Sequence, residues 1–262
     1  MNPIFTETYF LSAGETNAEH EMSLPLLVSK FIDIATAHAN SLGIGNPSMS
    51  DMNAGWVLSR LSVEMDSYPQ ANDTYTISTW MESFNRHFSL RCFKVESPDG
   101  KVFGYARSVW MVMDTVNHTN VGLSHLSLPE GMVDGTPAPI ATQQRHVPIV
   151  VKDSLQEFPK GALVATEPPF LYRFKYCDLD FYRHVNTVRY VTLLLNQFTL
   201  EEHDAAYVKR LELSFLHEAK YGMETCVLRS DSDDKLLSSF QISNHADNTP
   251  LFFARLLRIP RK

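Results

Sequence analysis

The chain has 262 residues, 44% of them hydrophobic, which is enough for one large or two modest domains with buried cores and no need of small-domain staples. Its three cysteines, Cys92, Cys177 and Cys226, are odd in number and lack CxxC spacing, arguing against a disulfide framework or a structural zinc site. A formal net charge of −7 disfavours a general nucleic-acid binder but is compatible with a small basic face that docks an acidic partner.

Met1 to Phe10 carries Glu7 and neither a basic stretch nor a long apolar run, so no secretory signal is expected. No later segment approaches a membrane span, and a reducing cytoplasm is the expected location. Ile4 to Leu11 reads as a strand. After a polar loop, Ser23 offers an N-cap to the apolar stripe Leu24, Leu27, Val28, Phe31, Ile34 and Ala35, and Gly43 closes that helix. Period-2 stretches follow over 58–65, 75–81, 88–95 and 102–113, the last two joined by the turn Pro98-Asp99-Gly100. One helix followed by an antiparallel meander is the expected layout. Residues 131–160 are rich in proline and poor in periodic apolar positions, as a crossing linker is.

The same order then returns: a strand over 170–177, a helix from Asn186 to Phe198, and strands over 208–215, 224–229, 237–243 and 251–259. The second helix has Asn186 as N-cap and the stripe Val188, Val191, Leu194, Leu195 and Phe198 to bury against a sheet. The expected fold class is therefore α+β, with two tandem domains over 1–130 and 161–262, each a long helix wrapped by an antiparallel β-sheet.

Ahead of the second helix stands Cys177-Asp178-Leu179-Asp180-Phe181-Tyr182-Arg183-His184-Val185-Asn186-Thr187-Val188-Arg189-Tyr190. It resembles the D-x-N-x-H-V-N-N-x-x-Y signature of plant and bacterial acyl-ACP thioesterases. The run from Leu211 to Ala219 is similar to that family's strand ending in Y-R-R-E-C, with Glu218 on the motif glutamate. In the first half, Gly55-Trp56-Val57-Leu58-Ser59-Arg60-Leu61, Tyr68-Pro69, Ser78-Thr79-Trp80 and Arg107-Ser108-Val109-Trp110-Met111-Val112-Met113 resemble the family's N-terminal hot-dog domain. Two positions depart from the pattern. Tyr182 stands where the family has asparagine, and a phenol lacks the carboxamide's paired donor and acceptor. Ala219 stands where many plant members have a cysteine.

The resemblance implies two tandem hot-dog domains, an acyl pocket lined by the first, chemistry supplied by the second, and hydrolysis of a fatty acyl thioester on acyl carrier protein without metal or cofactor. The site it implies is Asp180, His184 and Glu218, with Tyr182 as a weaker member. A thioester carbonyl is already electrophilic, so such a site must supply an activated water or carboxylate, stabilise an oxyanion and position the acyl chain. Asp180 is expected as general base or nucleophile, Glu218 as the group that aligns or deprotonates water, and His184 as a hydrogen-bonding acid or base. Free amides at the start of the second helix are expected to help hold the oxyanion. Taken singly, an Asp before a helix is ordinarily a cap, a His structural and a Glu a solvated residue; the set of matches argues otherwise.

Other signals are weaker. His20 and Glu21 precede the first helix as the Asp180 motif precedes the second, but no aspartate is spaced to pair with His20, so they read as a degenerate copy. Cys177 reads as a packed strand residue. There is no full dinucleotide fingerprint and no G-x-S-x-G elbow. Arg173, Lys175, Arg183, Arg189, Arg258 and Arg261 make the second half locally basic and suited to an acidic carrier protein, against the ordinary reading of a solvated surface. An acyl-CoA thioesterase, a non-catalytic acyl-ACP binding module and, more distantly, a dehydratase are the alternatives. A monomer and a homodimer are both compatible with two fused hot dogs.

Overall fold

The computed structural model describes residues 2–45, 49, 53–117, 119–124, 126, 128–152 and 159–261. The chain divides into two compact units, Met1–Ala141 and Thr142–Lys262, and the division falls within the proline-rich segment.

Unit 1 contains β1 (Phe5–Phe10), α1 (Leu24–Ser41), β2 (Ala54–Met65), β3 (Thr74–Phe84), β4 (Ser89–Glu96) and β5 (Val102–Asp114). The strands pair antiparallel in the order β1-β3-β4-β5-β2. The tight β4–β5 turn needs Gly100, whose φ of 85° suits a residue without Cβ. Ser23 occupies the N-cap of α1 with proline in the first turn, where a missing N–H costs nothing. The predicted stripe is the buried one: Leu27, Val28, Phe31 and Ile34 are at most 1% exposed, with His38 and Ala39 continuing it. Phe31 meets Phe93 of β4 at a ring separation of 4.8 Å. Full burial of a side chain this size stabilises by roughly 1.5–3 kcal/mol. The helix stops where Gly43 turns to φ 72° and Ile44 N–H bonds the Ala39 carbonyl.

Unit 2 contains β6 (Ile149–Val150), β7 (Leu163–Val164), β8 (Phe170–Arg173), α2 (Thr187–Leu195), α3 (Leu200–Ala205), β9 (Ala206–Phe215), β10 (Glu224–Asp231), β11 (Leu237–Asn244) and β12 (Pro250–Pro260). The sheet order is β8-β10-β11-β12-β9, all antiparallel, with β6 and β7 a separate parallel pair. Helix α2 buries Tyr190, Val191, Leu193 and Leu194. Tyr190 stacks on Phe252 at 4.8 Å and meets Phe174 and Phe215 edge-on.

Two elements stop well short of their expected ends. The second helix ends at Leu195 rather than Phe198 because a new capping box begins at once: Thr199 Oγ1 accepts the Glu202 amide and Glu202 Oε2 accepts the Thr199 amide. The strand expected over 170–177 stops at Arg173, and Tyr176–Asp178 form a 3-10 turn. Asp178 Oδ2 locks that turn by accepting Lys175 N–H at 2.7 Å and the Tyr172 hydroxyl at 3.0 Å. Cys177 is consequently exposed rather than packed, whereas Cys92 is buried, its thiol pushed up to about 12 chiefly by that burial.

Phe198, released from the helix, lies between two guanidiniums, those of Arg229 and Arg258, centred 4.0 and 4.1 Å from its ring. Glu202 bonds both cations, at 2.9 and 3.4 Å, and Asp231 bonds Arg229 at 2.9 Å. The cluster ties α3 to β10 and β12. Phe198→Ala should cost about 3–5 kcal/mol of unfolding free energy, read by chemical denaturation. Iodoacetamide on the native protein should modify Cys177 and reach Cys92 only after unfolding, as peptide mapping would report.

Candidate active site

The site grows from a five-residue loop, Asp180 to His184, between the 3-10 turn and α2. Its ends hold each other: Asp180 N–H donates to the His184 carbonyl at 2.8 Å, and His184 N–H donates to Asp180 Oδ1 at 3.0 Å. The same Oδ1 accepts Tyr182 N–H at 2.9 Å, while Arg183 N–H returns to the Asp180 carbonyl at 3.0 Å. Closing the loop so tightly puts Arg183 at φ 65°, a left-handed conformation that costs a residue with Cβ about 1 kcal/mol or more. Asp180 is thus fixed in orientation by two backbone amides, as a carboxylate aimed at a reacting atom must be.

The loop is docked onto the β9–β10 connection. Val185 N–H bonds the Ala219 carbonyl at 2.9 Å, and His184 and Lys220 form a short antiparallel bridge. This brings Glu218, 34 positions away in sequence, to His184: Oε2 lies 3.2 Å from Nε2, with the two side chains 35% and 25% exposed. Asp180, His184 and Glu218 are therefore gathered in one place, partly open to water. Both carboxylates also act on the buried Tyr190 hydroxyl, whose pKa is raised first by burial and then by the charges of Glu218 and Asp180, while the Ala219 backbone bonds it in the opposing sense. Tyr190 ends the sequence motif, yet only the fold brings its hydroxyl within the influence of both carboxylates.

Tyr182 is 38% exposed, and its ring lies 4.0 Å from that of Phe181, tilted by 38°. Burial and, secondarily, the Asp180 charge raise its pKa, so at neutral pH it is a protonated phenol and a hydrogen-bond donor. The helix start differs from expectation. Asn186 does cap α2, accepting Val188 N–H at 3.0 Å, but this occupies that amide, and Arg189 N–H is taken by the Asn186 carbonyl. Among the described residues Thr187 N–H alone of these first three helix amides lacks an acceptor, so the helix start offers one donor rather than a cluster.

Unit 1 carries the same backbone. Asn17 N–H bonds the Glu21 carbonyl at 2.8 Å, Glu21 N–H bonds Asn17 Oδ1 at 2.8 Å, and His20 takes φ 62°. Met22 N–H bonds the Pro69 carbonyl, and Glu21 bridges Gln70. Position by position, Asn17 stands for Asp180, His20 for Arg183, Glu21 for His184 and Tyr68 for Glu218. His20 is thus the left-handed loop residue and no counterpart of His184. The copy has no carboxylate at the first position and no imidazole at the last.

The acyl-ACP thioesterase N-terminal domain matches residues 2–121 and the acyl-ACP thioesterase C-terminal domain residues 166–251. The chain belongs to the acyl-ACP thioesterase family. It is 24% identical over 222 residues to the palmitoyl-acyl carrier protein thioesterase of Gossypium hirsutum, covering 82% of this chain and 52% of that protein. It is 23% identical over 223 residues to the oleoyl-acyl carrier protein thioesterase 2 of Arabidopsis thaliana, covering 82% and 60%. The chain thus spans about half the length of the first of these relatives and three-fifths of the second. In fold it matches the acyl-ACP thioesterase of Bacteroides thetaiotaomicron, with a TM-score of 0.84, 24% identity and 98% of each chain covered. The 12:0-ACP thioesterase of Umbellularia californica matches with a TM-score of 0.76 and 17% identity, over 99% of this chain and 95% of that one. The α+β double hot-dog class expected from the sequence is the fold observed.

Unit 1 doubles as a control for the loop. Because Asn17 makes the bond that Asp180 makes, Asp180→Asn should keep its melting temperature, whereas Asp180→Ala, which strands two amides, should lose about 1–3 kcal/mol. Calorimetry of the two variants separates Asp180's charge from its structural role.

Proposed function

We propose that this chain hydrolyses fatty acyl thioesters carried on acyl carrier protein, releasing free fatty acid and the carrier protein for fatty acid biosynthesis. The observation that carries this reading is the His184–Glu218 pair, 3.2 Å apart, beside an Asp180 held by two backbone amides, in a member of the acyl-ACP thioesterase family. Asp180 acts at the carbonyl carbon, Tyr182 and Thr187 N–H donate to the oxygen that becomes negative, and His184 protonates the departing pantetheine sulfur. Glu218, the more exposed of the pair, orients and deprotonates the hydrolytic water. No metal or cofactor enters these steps. Unit 1, with the longer helix, receives the acyl chain. The exposed cations Lys175, Arg183 and Arg189, all within 15 residues around the site, form a face toward the acidic carrier protein. The three free thiols support a reducing, cytoplasmic setting.

Fatty-acid release from matched acyl-ACP and acyl-CoA panels tests the assignment. The wild type should prefer acyl-ACP. Asp180→Asn should lower kcat by about 10²–10⁴-fold, and Tyr182→Phe by up to about 10²-fold with little change in KM. Tight acyl-ACP binding without turnover would make the chain a binding module instead. A single turnover in ¹⁸O-water tests direct attack by Asp180: label in its carboxylate means an anhydride intermediate opened at the aspartyl carbonyl, an outcome that base catalysis by Asp180 on water does not give.

A further inference from the structure

Unit 1 holds a cavity of about 40 Å³ under α1, walled by Ala35, Ala39, Ile44, Trp56, Met81 and Trp110. Among these apolar walls lies the side chain of Arg91, 4% exposed. A buried guanidinium is expensive unless a carboxylate compensates it, and among the described residues no carboxylate pairs with this one. Its recorded bonds both come from Nη1: to His38 Nδ1 at 2.8 Å and to Thr79 Oγ1 at 3.3 Å. Among the described residues Nε and Nη2 have no acceptor.

Several of the other donors around the cavity are used elsewhere, and the Ser89 hydroxyl lines it as well. Trp56 Nε1 bonds the Ile44 carbonyl and Trp110 Nε1 bonds Ser108 Oγ, both at 2.7 Å, and Thr36 Oγ1 bonds the Ile32 carbonyl at 2.9 Å. Burial pushes Arg91 down to about 10, and burial together with the Arg91 charge pushes His38 down to about 4. At neutral pH Arg91 is therefore the cation and His38 its neutral acceptor. His38 is itself pinned by stacking on Phe5 at 5.3 Å. An apolar cavity with one unspent, preorganised charged donor is built to take an apolar chain that carries an oxygen acceptor.

We propose that Arg91 is a specificity residue that selects acyl chains bearing an oxygen at their far end, a carboxylate above a hydroxyl, over chains ending in a plain methyl group. This rests on the reading of unit 1 as the part that receives the acyl chain. The cavity has room for a small terminal group, and it is large enough for water to occupy it in the absence of such a chain. A methyl end would displace that water and leave the guanidinium without an acceptor, whereas a carboxylate replaces the water and neutralises the charge.

Two of the protein's three tryptophans line the cavity, so intrinsic fluorescence reports its occupation independently of turnover. Methyl decanoate, methyl 10-hydroxydecanoate and monomethyl sebacate share one chain length and differ only at the far end. The wild type should bind monomethyl sebacate about tenfold or more tightly than methyl decanoate, with the hydroxy ester between, as one charge-assisted hydrogen bond supplies. Arg91→Met should abolish or reverse that order, and Arg91→Lys, which keeps a charge, should retain part of it. Equal binding of the three esters by the wild type overturns the proposal, with no variant needed. If acyl-ACP is hydrolysed yet the esters are not discriminated, the thioesterase reading stands and the Arg91 proposal falls; discrimination without hydrolysis gives the converse.

Discussion

The reciprocal bonds between Asp180 and His184 are the constraint on which the rest of the site depends. They close five residues into a loop small enough to force Arg183 into a left-handed conformation. Closure points Val185 N–H at the Ala219 carbonyl, which docks the β9–β10 connection, and that docking sets Glu218 against His184. One carboxylate oxygen of Asp180, Oδ1, thus accepts both backbone amides that hold the loop. The strain at Arg183 is offset by four hydrogen bonds within the loop.

The two units show that this backbone device does not depend on the side chains Asp180 and His184. Unit 1 builds the same loop with Asn17 and Glu21, docks it on Pro69 in the same way, and has neither the acid nor the imidazole at the matching positions. A duplicated frame can hold different side chains at matching positions, so function follows the site rather than the fold. The units differ in their helices as well. Helix α1 runs 18 residues against 9 for α2, and its extra length brings His38 onto Arg91, which α2, cut short by the Thr199 capping box, has no length to do.

Much of this was legible in the chain itself. The stripe from Leu24 to Ala35 and the alternation in the strands reflect burial on one face, a requirement written residue by residue in local sequence. The end of α2 was less legible because its apolar stripe continues through Phe198, and only the competition with the next cap decides the stop. The strand end at Arg173 was missed for a related reason: the alternation runs on to Cys177, but Asp178 curls the chain back on Lys175. The helix-start amides were counted as free because a capping side chain was known without knowing which donor it would take.

The sequence by itself determined the repeated order of elements, the faces that would be buried, the cap at Asn186 and the family-like placement of Asp180, His184 and Glu218, because periodicity, capping and motif spacing are short-range properties. Only the tertiary structure decided that Glu218 meets His184, that the charges of both Glu218 and Asp180 act on the Tyr190 hydroxyl, that His20 stands for Arg183, and that Arg91 faces an apolar cavity with His38 as its neutral partner. Each of these joins residues, or corresponding residues, that no local pattern connects. Their meeting follows from strand register and loop closure, and those are settled by the packing of the whole unit.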